Sequence, residues 1–246
     1  VTMQLALVEG DNHIEVRAAS SDGSWEAEPA KLLLKFAQPL AKPSVYLLAV
    51  GVNNYASESM NLKYAAPDAE AIAKLFQERG ATLYGAEQIH VTTVLNEQAT
   101  QAGIRDALSE IAKVARPQDM LVIFLAGHGM TLGQRYYFIP HEFQKKSETV
   151  EDDVRNQGLA ADALGELIAR VPALKRVLIY DTCQSGGALP LAGQSRDAFA
   201  FRGALERLSR SQGVFTLAAS SAGAQAQELR NSSAVGGADV AAPAPS

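Results

Sequence analysis

Apolar positions change rhythm near Ser44. Before it, residues 5 to 36 alternate imperfectly: LALVEGDNHIEVRAAS is interrupted by Gly10, Asp11 and Asn12, and DGSW precedes a second apolar run, KLLLKF. Alternation bounded by turn residues predicts short strands, of the kind that end a β-sandwich. AQPLAKPS, with two prolines, reads as a linker. Beyond it, compact apolar runs recur: VYLLAV at 45–50, HVTTVL at 90–95, MLVIFL at 120–125, YYFI at 136–139, VLIY at 177–180 and VFTLAA at 214–219. Between them the spacing predicts helices near 67–79, 101–115, 160–170 and 197–210. Ile72, Leu75 and Phe76 form the apolar face of the first, and Ile104, Leu108 and Ile111 that of the second. Pro67 suits a first helical turn and Thr100 an N-cap. Eight charged residues between Glu142 and Arg155 predict an exposed loop.

Nearly unbroken apolar strands alternating with one-sided helices imply a mostly parallel sheet covered on both faces, because a strand buried on both sides needs no polar alternation. The expected class is therefore α/β. Three segments follow: an N-terminal β segment with its linker over 1–41, the α/β domain over 42–230, and a small, polar, proline-containing tail over 231–246, expected to be disordered. The β segment is expected to be either an accessory hairpin or the end of a larger sandwich module.

Composition narrows the function classes. The 246 residues are 47% hydrophobic and 20% charged, with formal net charge -5. The acidic balance is spread out, with no basic stripe interleaved with aromatics, which argues against nucleic-acid binding. The longest strongly apolar run, MLVIFLAG, falls well short of the roughly 18 residues of a membrane span, and no targeting signal is visible. The expected location is cytoplasmic, or within a larger protein whose signal lies elsewhere. A single cysteine cannot form an internal disulfide, and four scattered histidines make no convincing zinc set.

In parallel sheets ligands collect where strand C-termini open into loops. That rule points to GVNNY, AGHGM and DTCQSGG, which follow three of the expected strands. His128 and Cys183 each fall one to three residues beyond an expected strand end. If those strands are neighbours, their ends lie about 5 Å apart. A thiol beside an imidazole is the minimum arrangement for covalent acyl transfer, since the base raises the fraction of nucleophilic thiolate. Gly127 and Gly129 permit close backbone approach, and nearby amides are candidates to hold an oxyanion. The bland alternative is a buried cysteine acting as a small hydrophobe and a histidine serving as a structural cap in a glycine turn.

Several ordered motifs together resemble the caspase-like cysteine peptidase superfamily, in particular its bacterial and metacaspase-related members, across about residues 44–228. They are YLLAVGVNNY, LKYAAPDAEAIAKLF, LVIFLAGHG with YYFIP behind it, VLIYDTCQSGG and GVFTLAAS. The resemblance implies a caspase-like sandwich in which His128 is the base and acid, and Cys183 the nucleophile. It implies that the backbone amides of Gly129 and Cys183 make the oxyanion site. Asp181 matches a metacaspase-type position whose carboxylate recognises arginine, or secondarily lysine, before the scissile bond; an Asp capping the local turn is the alternative. Asp68 and Ser220 are weaker substrate-binding candidates, and exposed amides at a helix start explain Asp68 better than chemistry does.

By the same resemblance the expected function is a cysteine endopeptidase acting on protein or peptide substrates. The alternative is a catalytically silent caspase-like scaffold or regulatory module. No cofactor is required and no metal-binding residue is assigned. Calcium activation, known among metacaspases, makes the acidic run EDD at 151–153 a candidate, although it lacks calcium-loop spacing. Lys145, Lys146 and Arg155 are candidate activation cuts. Relatives continue past AASSAGAQAQE with a further strand and helix that this chain does not show, so a homodimer or completing chain is expected at an exposed sheet edge. Neither nucleic acid nor membrane is an expected partner.

Overall fold

The computed structural model describes residues 5, 7, 9–20, 24–36, 41–184, 203, 206 and 213–218, with only the backbone of 183, 184 and 218. The helix expected over 197–210 therefore falls almost wholly outside the described residues, as do Ser220 and the tail.

The N-terminal alternation forms a hairpin. β1 (Gly10–Val16) pairs antiparallel with β2 (Ala30–Phe36), and an isolated bridge joins Ala19 to Glu26. These strands make their own two-stranded sheet.

Among the described residues the second sheet has seven strands. Its parallel part runs β4 (Ile89–Leu95), β3 (Val45–Gly51), β5 (Met120–Leu132), β8 (Lys175–Gln184) and β9 (Phe215–Ala218). β6 (Arg135–Phe138) turns back antiparallel on the far end of β5 and is followed by the short β7 (Leu159–Ala160). The mostly parallel α/β expectation is thus met, and the apolar runs explain it. All seven residues of β3 are buried. Its odd positions Val45, Leu47 and Ala49 join Val122 and Phe124 on one face, while Tyr46, Leu48 and Val50 join Leu121, Ile123 and Leu125 on the other.

α3 (Gln101–Val114) covers the second face with Ile104, Leu108 and Ile111, as its spacing implied. Burying each such side chain stabilises by about 1.5–3 kcal/mol. Thr100 caps this helix, its Oγ1 accepting from the Gly103 amide at 2.9 Å. α5 (Ala161–Ala169) adds Leu164 and Ile168 to the same face.

α1 (Ala65–Leu75) covers the first face only in part through the residues its pattern favoured: Ile72 and, just past the helix end, Phe76 are half-buried against it. Ala65, Ala66, Ala69 and Ala73 are buried, whereas Leu75 is 48% exposed. Small side chains at four-residue spacing let the helix backbone approach the sheet, and Gly51 completes the fit: a Cβ there would lie 2.5 Å from the Ala65 carbonyl oxygen. The chain continues from α1 through a π-helical turn over 76–80 into the short α2 (Ala81–Tyr84).

The charged stretch after Glu142 is not simply an exposed loop. Phe143 is fully buried, and VEDDVRNQ forms α4 (Val150–Gln157). Asp153, 1% exposed, accepts hydrogen bonds from the amides of Lys146 and Ser147 and from Gln157. Burial alone would raise its pKa; the bonds from Ser147, Lys146 and Gln157 outweigh that and hold it below the usual carboxylate value. Charge density misled here because one of these carboxylates is turned inward to tie down the preceding segment. Candidate cuts at Lys146 and Arg155 thus fall on a tied amide and within a helix.

Candidate active site

The site lies where β5 changes partners. Along one side, β5 pairs with β3 as far as Ala126, opposite Gly51. On that same side β6 takes over at Gly129, opposite Phe138. Gly127 and His128 lie in the gap between them, and loop groups fill it. The His128 amide donates to the Tyr55 hydroxyl at 2.8 Å, and the Ile139 amide donates to the His128 carbonyl at 2.9 Å. Gly127, with φ of 150°, adopts backbone that favours glycine, and a Cβ there would crowd the Tyr55 hydroxyl at 2.9 Å.

On its other side β5 pairs with β8 without interruption, and the register sets His128 directly across from Cys183. Adjacent strands put the two backbones about 4.8 Å apart. Paired residues of neighbouring strands belong to the same face, so the nucleophile and base candidates occupy one register position. The sequence expectation needed correcting in one respect. Neither residue lies in a loop: β5 extends to Leu132 and β8 to Gln184, so both are on strands. The glycines flanking His128 obscured the strand, because glycine reads as a breaker.

His128 is 3% exposed. Its Nε2 lies 2.8 Å from the Met60 carbonyl oxygen, and its ring stands 5.0 Å from that of Tyr55, tilted by 35°. A carbonyl can only accept, so Nε2 carries the hydrogen and Nδ1 is the nitrogen that takes up a proton. Nothing in the sequence marks Met60 for this role, because the acting group is backbone.

Behind β8, the Tyr136 hydroxyl and Thr182 Oγ1 share a 2.6 Å hydrogen bond, with both residues buried. Tyr136 also meets Tyr180 edge-on, ring centroids 5.1 Å apart. A Cβ on Gly129 would collide with the Tyr136 hydroxyl, so glycine is required where this tyrosine passes. The pair anchors the residue immediately before Cys183.

Asp181 sits opposite Ala126, two positions before Cys183 and on the same face of β8. It lies within the strand rather than in a turn. Burial raises its pKa. Asp68 is exposed in the first turn of α1, where helix-start amides account for an acidic residue. Ser220 lies outside the described residues. Among the described residues no group of three or more His, Cys, Asp or Glu side chains is placed to hold a metal ion. In EDD, Asp152 is engaged with Thr149 and Arg155, and Asp153 with backbone amides.

This fold and this pairing of positions define a class, and the sequence comparison names it. The family model of the caspase domain, a peptidase family, matches residues 45–240, and the chain belongs to that family. Among solved structures, the crystal structure of protein GSU0716 from Geobacter sulfurreducens aligns at 20% identity with a TM-score of 0.46. The alignment covers 69% of this chain and 66% of that one. A search of curated proteins finds no significant match. No helix among the described residues is long and apolar enough to cross a membrane.

Proposed function

We propose that the protein is a cysteine endopeptidase that cleaves protein substrates after arginine, or secondarily lysine, using Cys183 and His128. The observation that carries this reading is the register pairing of His128 with Cys183. Nδ1 of His128 takes the thiol proton as sulfur attacks the scissile carbonyl carbon, forming the C–S bond and an oxyanion. The backbone amides of Gly129 and Cys183 donate to that oxygen. His128 then returns its proton to the departing amine as the C–N bond breaks, leaving a thioester. Water, deprotonated by the same imidazole, hydrolyses the thioester and releases the thiol. No metal or cofactor enters these steps.

The preference for arginine rests on Asp181. A carboxylate that burial holds against ionisation gains most from an incoming cation, and a guanidinium can satisfy both its oxygens. An acidic side chain at the same subsite would be repelled. The test is a panel of fluorogenic peptides that differ only in the residue before the cleaved bond. Wild type should cleave the arginine peptide, Cys183→Ala should cleave none, and Asp181→Ala should lose the arginine preference. Equal turnover by wild type and Cys183→Ala would reject the nucleophile; no turnover of any peptide by wild type would favour a silent scaffold.

A further inference from the structure

The loop between β3 and α1 carries two groups that touch His128: the Tyr55 side chain, which meets its amide and its ring, and the Met60 carbonyl, which meets Nε2. Regular secondary structure contributes little to holding that loop. Backbone carbonyls take the Ala56, Met60, Asn61 and Leu62 amides, and asparagine side chains take the three at its start, Asn53, Asn54 and Tyr55. Asn96 Oδ1 accepts from two successive amides, Asn53 at 2.9 Å and Asn54 at 3.1 Å. Asn61 Oδ1 accepts from the Tyr55 amide at 2.8 Å. Asn53 closes the far end, its Oδ1 accepting from the Ala66 amide and its Nδ2 donating to the Lys63 carbonyl, each at 2.9 Å.

Asn96 differs from the others in its backbone. It follows β4, a different strand from the one that launches the loop, and its φ is +48°, the sole positive value outside glycine among the described residues. Asparagine tolerates that conformation better than most residues. Held there, it brings one oxygen to two amides at once. His141 supports the same turn from the opposite side: its Nδ1 donates to the Asn54 carbonyl at 2.7 Å, and its carbonyl accepts from Ala56.

We infer that Asn96 is a positioning residue for the general base: by clamping the Asn53 and Asn54 amides, it fixes the loop that presents the Met60 carbonyl and Tyr55 to His128. The inference rests on the thiol–imidazole chemistry proposed above, and its test does not need a peptide substrate. Cys183 is the single cysteine, so iodoacetamide alkylation reads its thiolate directly: sulfur displaces iodide, and its proton passes to His128.

Alkylation rates from acid to alkaline pH are to be compared for wild type, His128→Ala, Asn96→Gly and Asn96→Asp. Glycine keeps the positive φ but removes the acceptor; aspartate keeps both. Wild type should show an enhancement near neutral pH that His128→Ala lacks. Asn96→Gly should lose most of that enhancement and Asn96→Asp recover it. In peptide turnover, displacement of the base by Asn96→Gly should lower kcat by about 10- to 100-fold with little change in KM. Asn61→Ala, which frees the Tyr55 amide, should act in the same direction and serves if Asn96→Gly does not melt cooperatively. A cooperatively folded Asn96→Gly with the full wild-type alkylation profile would overturn the inference while leaving the dyad standing. A wild-type profile identical to that of His128→Ala would overturn both.

Discussion

Replacing Tyr55 with phenylalanine removes one oxygen from the centre of this arrangement. The hydroxyl accepts from the His128 amide at 2.8 Å, in the gap between β3 and β6 where no strand provides an acceptor. Tyr55 is 3% exposed and so is His128, so water does not readily replace the lost partner. A buried donor left without an acceptor costs about 1–3 kcal/mol. The ring remains against the imidazole, so no large cavity adds to that cost. For a domain of this size each kcal/mol lowers Tm by about 2–4 °C. Urea denaturation should therefore show a lower midpoint with an unchanged slope. Peptide turnover should fall too, because the proposed base loses one of the hydrogen bonds that fix its backbone. A stability change below about 0.5 kcal/mol, typical of exposed substitutions, together with unaltered turnover, would refute the claim that Tyr55 stands in for a missing strand.

Asp181→Asn should weaken arginine preference yet stabilise the fold, since a carboxylate whose pKa is raised on folding destabilises the native state above that pKa; denaturation at neutral pH checks the sign. In wild type, arginine preference should fade on acidification at a higher pH than an ordinary carboxylate would give, read from peptide rates against pH. Asp153→Ala should cost about 1–3 kcal/mol at neutral pH by orphaning the Lys146 and Ser147 amides. Because folding depresses the Asp153 pKa, its contribution is present above the unfolded value and is lost as pH falls through the folded one, so wild type and variant should converge in acid. Gly129→Ala should abolish turnover by pushing Tyr136 off Thr182, with a melt that shows a folded protein. Turnover should persist in chelator, because Asp152 and Asp153 are already engaged by Thr149, Arg155 and backbone amides.

What the sequence made legible follows from what leaves a periodic trace. Strands buried on both faces read as apolar runs, so β3, β5 and β8 were evident, and the rule that sites gather at strand C-termini led to His128 and Cys183. Helix α3 announced its buried face because Ile104, Leu108 and Ile111 are large. α1 did so only in part: Ile72 and Phe76 pack as their spacing implies, but its closest contacts come from alanine, which contributes its fit through backbone proximity rather than bulk. The inward carboxylate of Asp153 looked like any other charge in a charged segment. Met60 acts through its carbonyl, which every residue possesses. Asn96 was hidden for a related reason: its importance comes from a φ value and two amides of a distant loop, and neither leaves a periodicity.

These hidden features share a cause. A side chain on a strand projects from a sheet face, while ladder partners lie in the sheet plane and occupy the strand's own amides and carbonyls. Here the ladder is interrupted for Gly127 and His128 alone: β3 has ended and β6 has not begun. The interruption admits a loop to the imidazole and leaves backbone groups to be satisfied. Tyr55 and Ile139 take the strand's groups, while Asn96 and Asn61 take the loop's. β8 runs unbroken on the opposite side, so the thiol position stays in register while the base gains its orienting carbonyl. Sliding β8 by one residue would put Thr182 or Gln184 across from His128 and move Cys183 to the other face. The buried Tyr136–Thr182 bond resists that slip, coupling the core behind the sheet to the chemistry proposed in front of it.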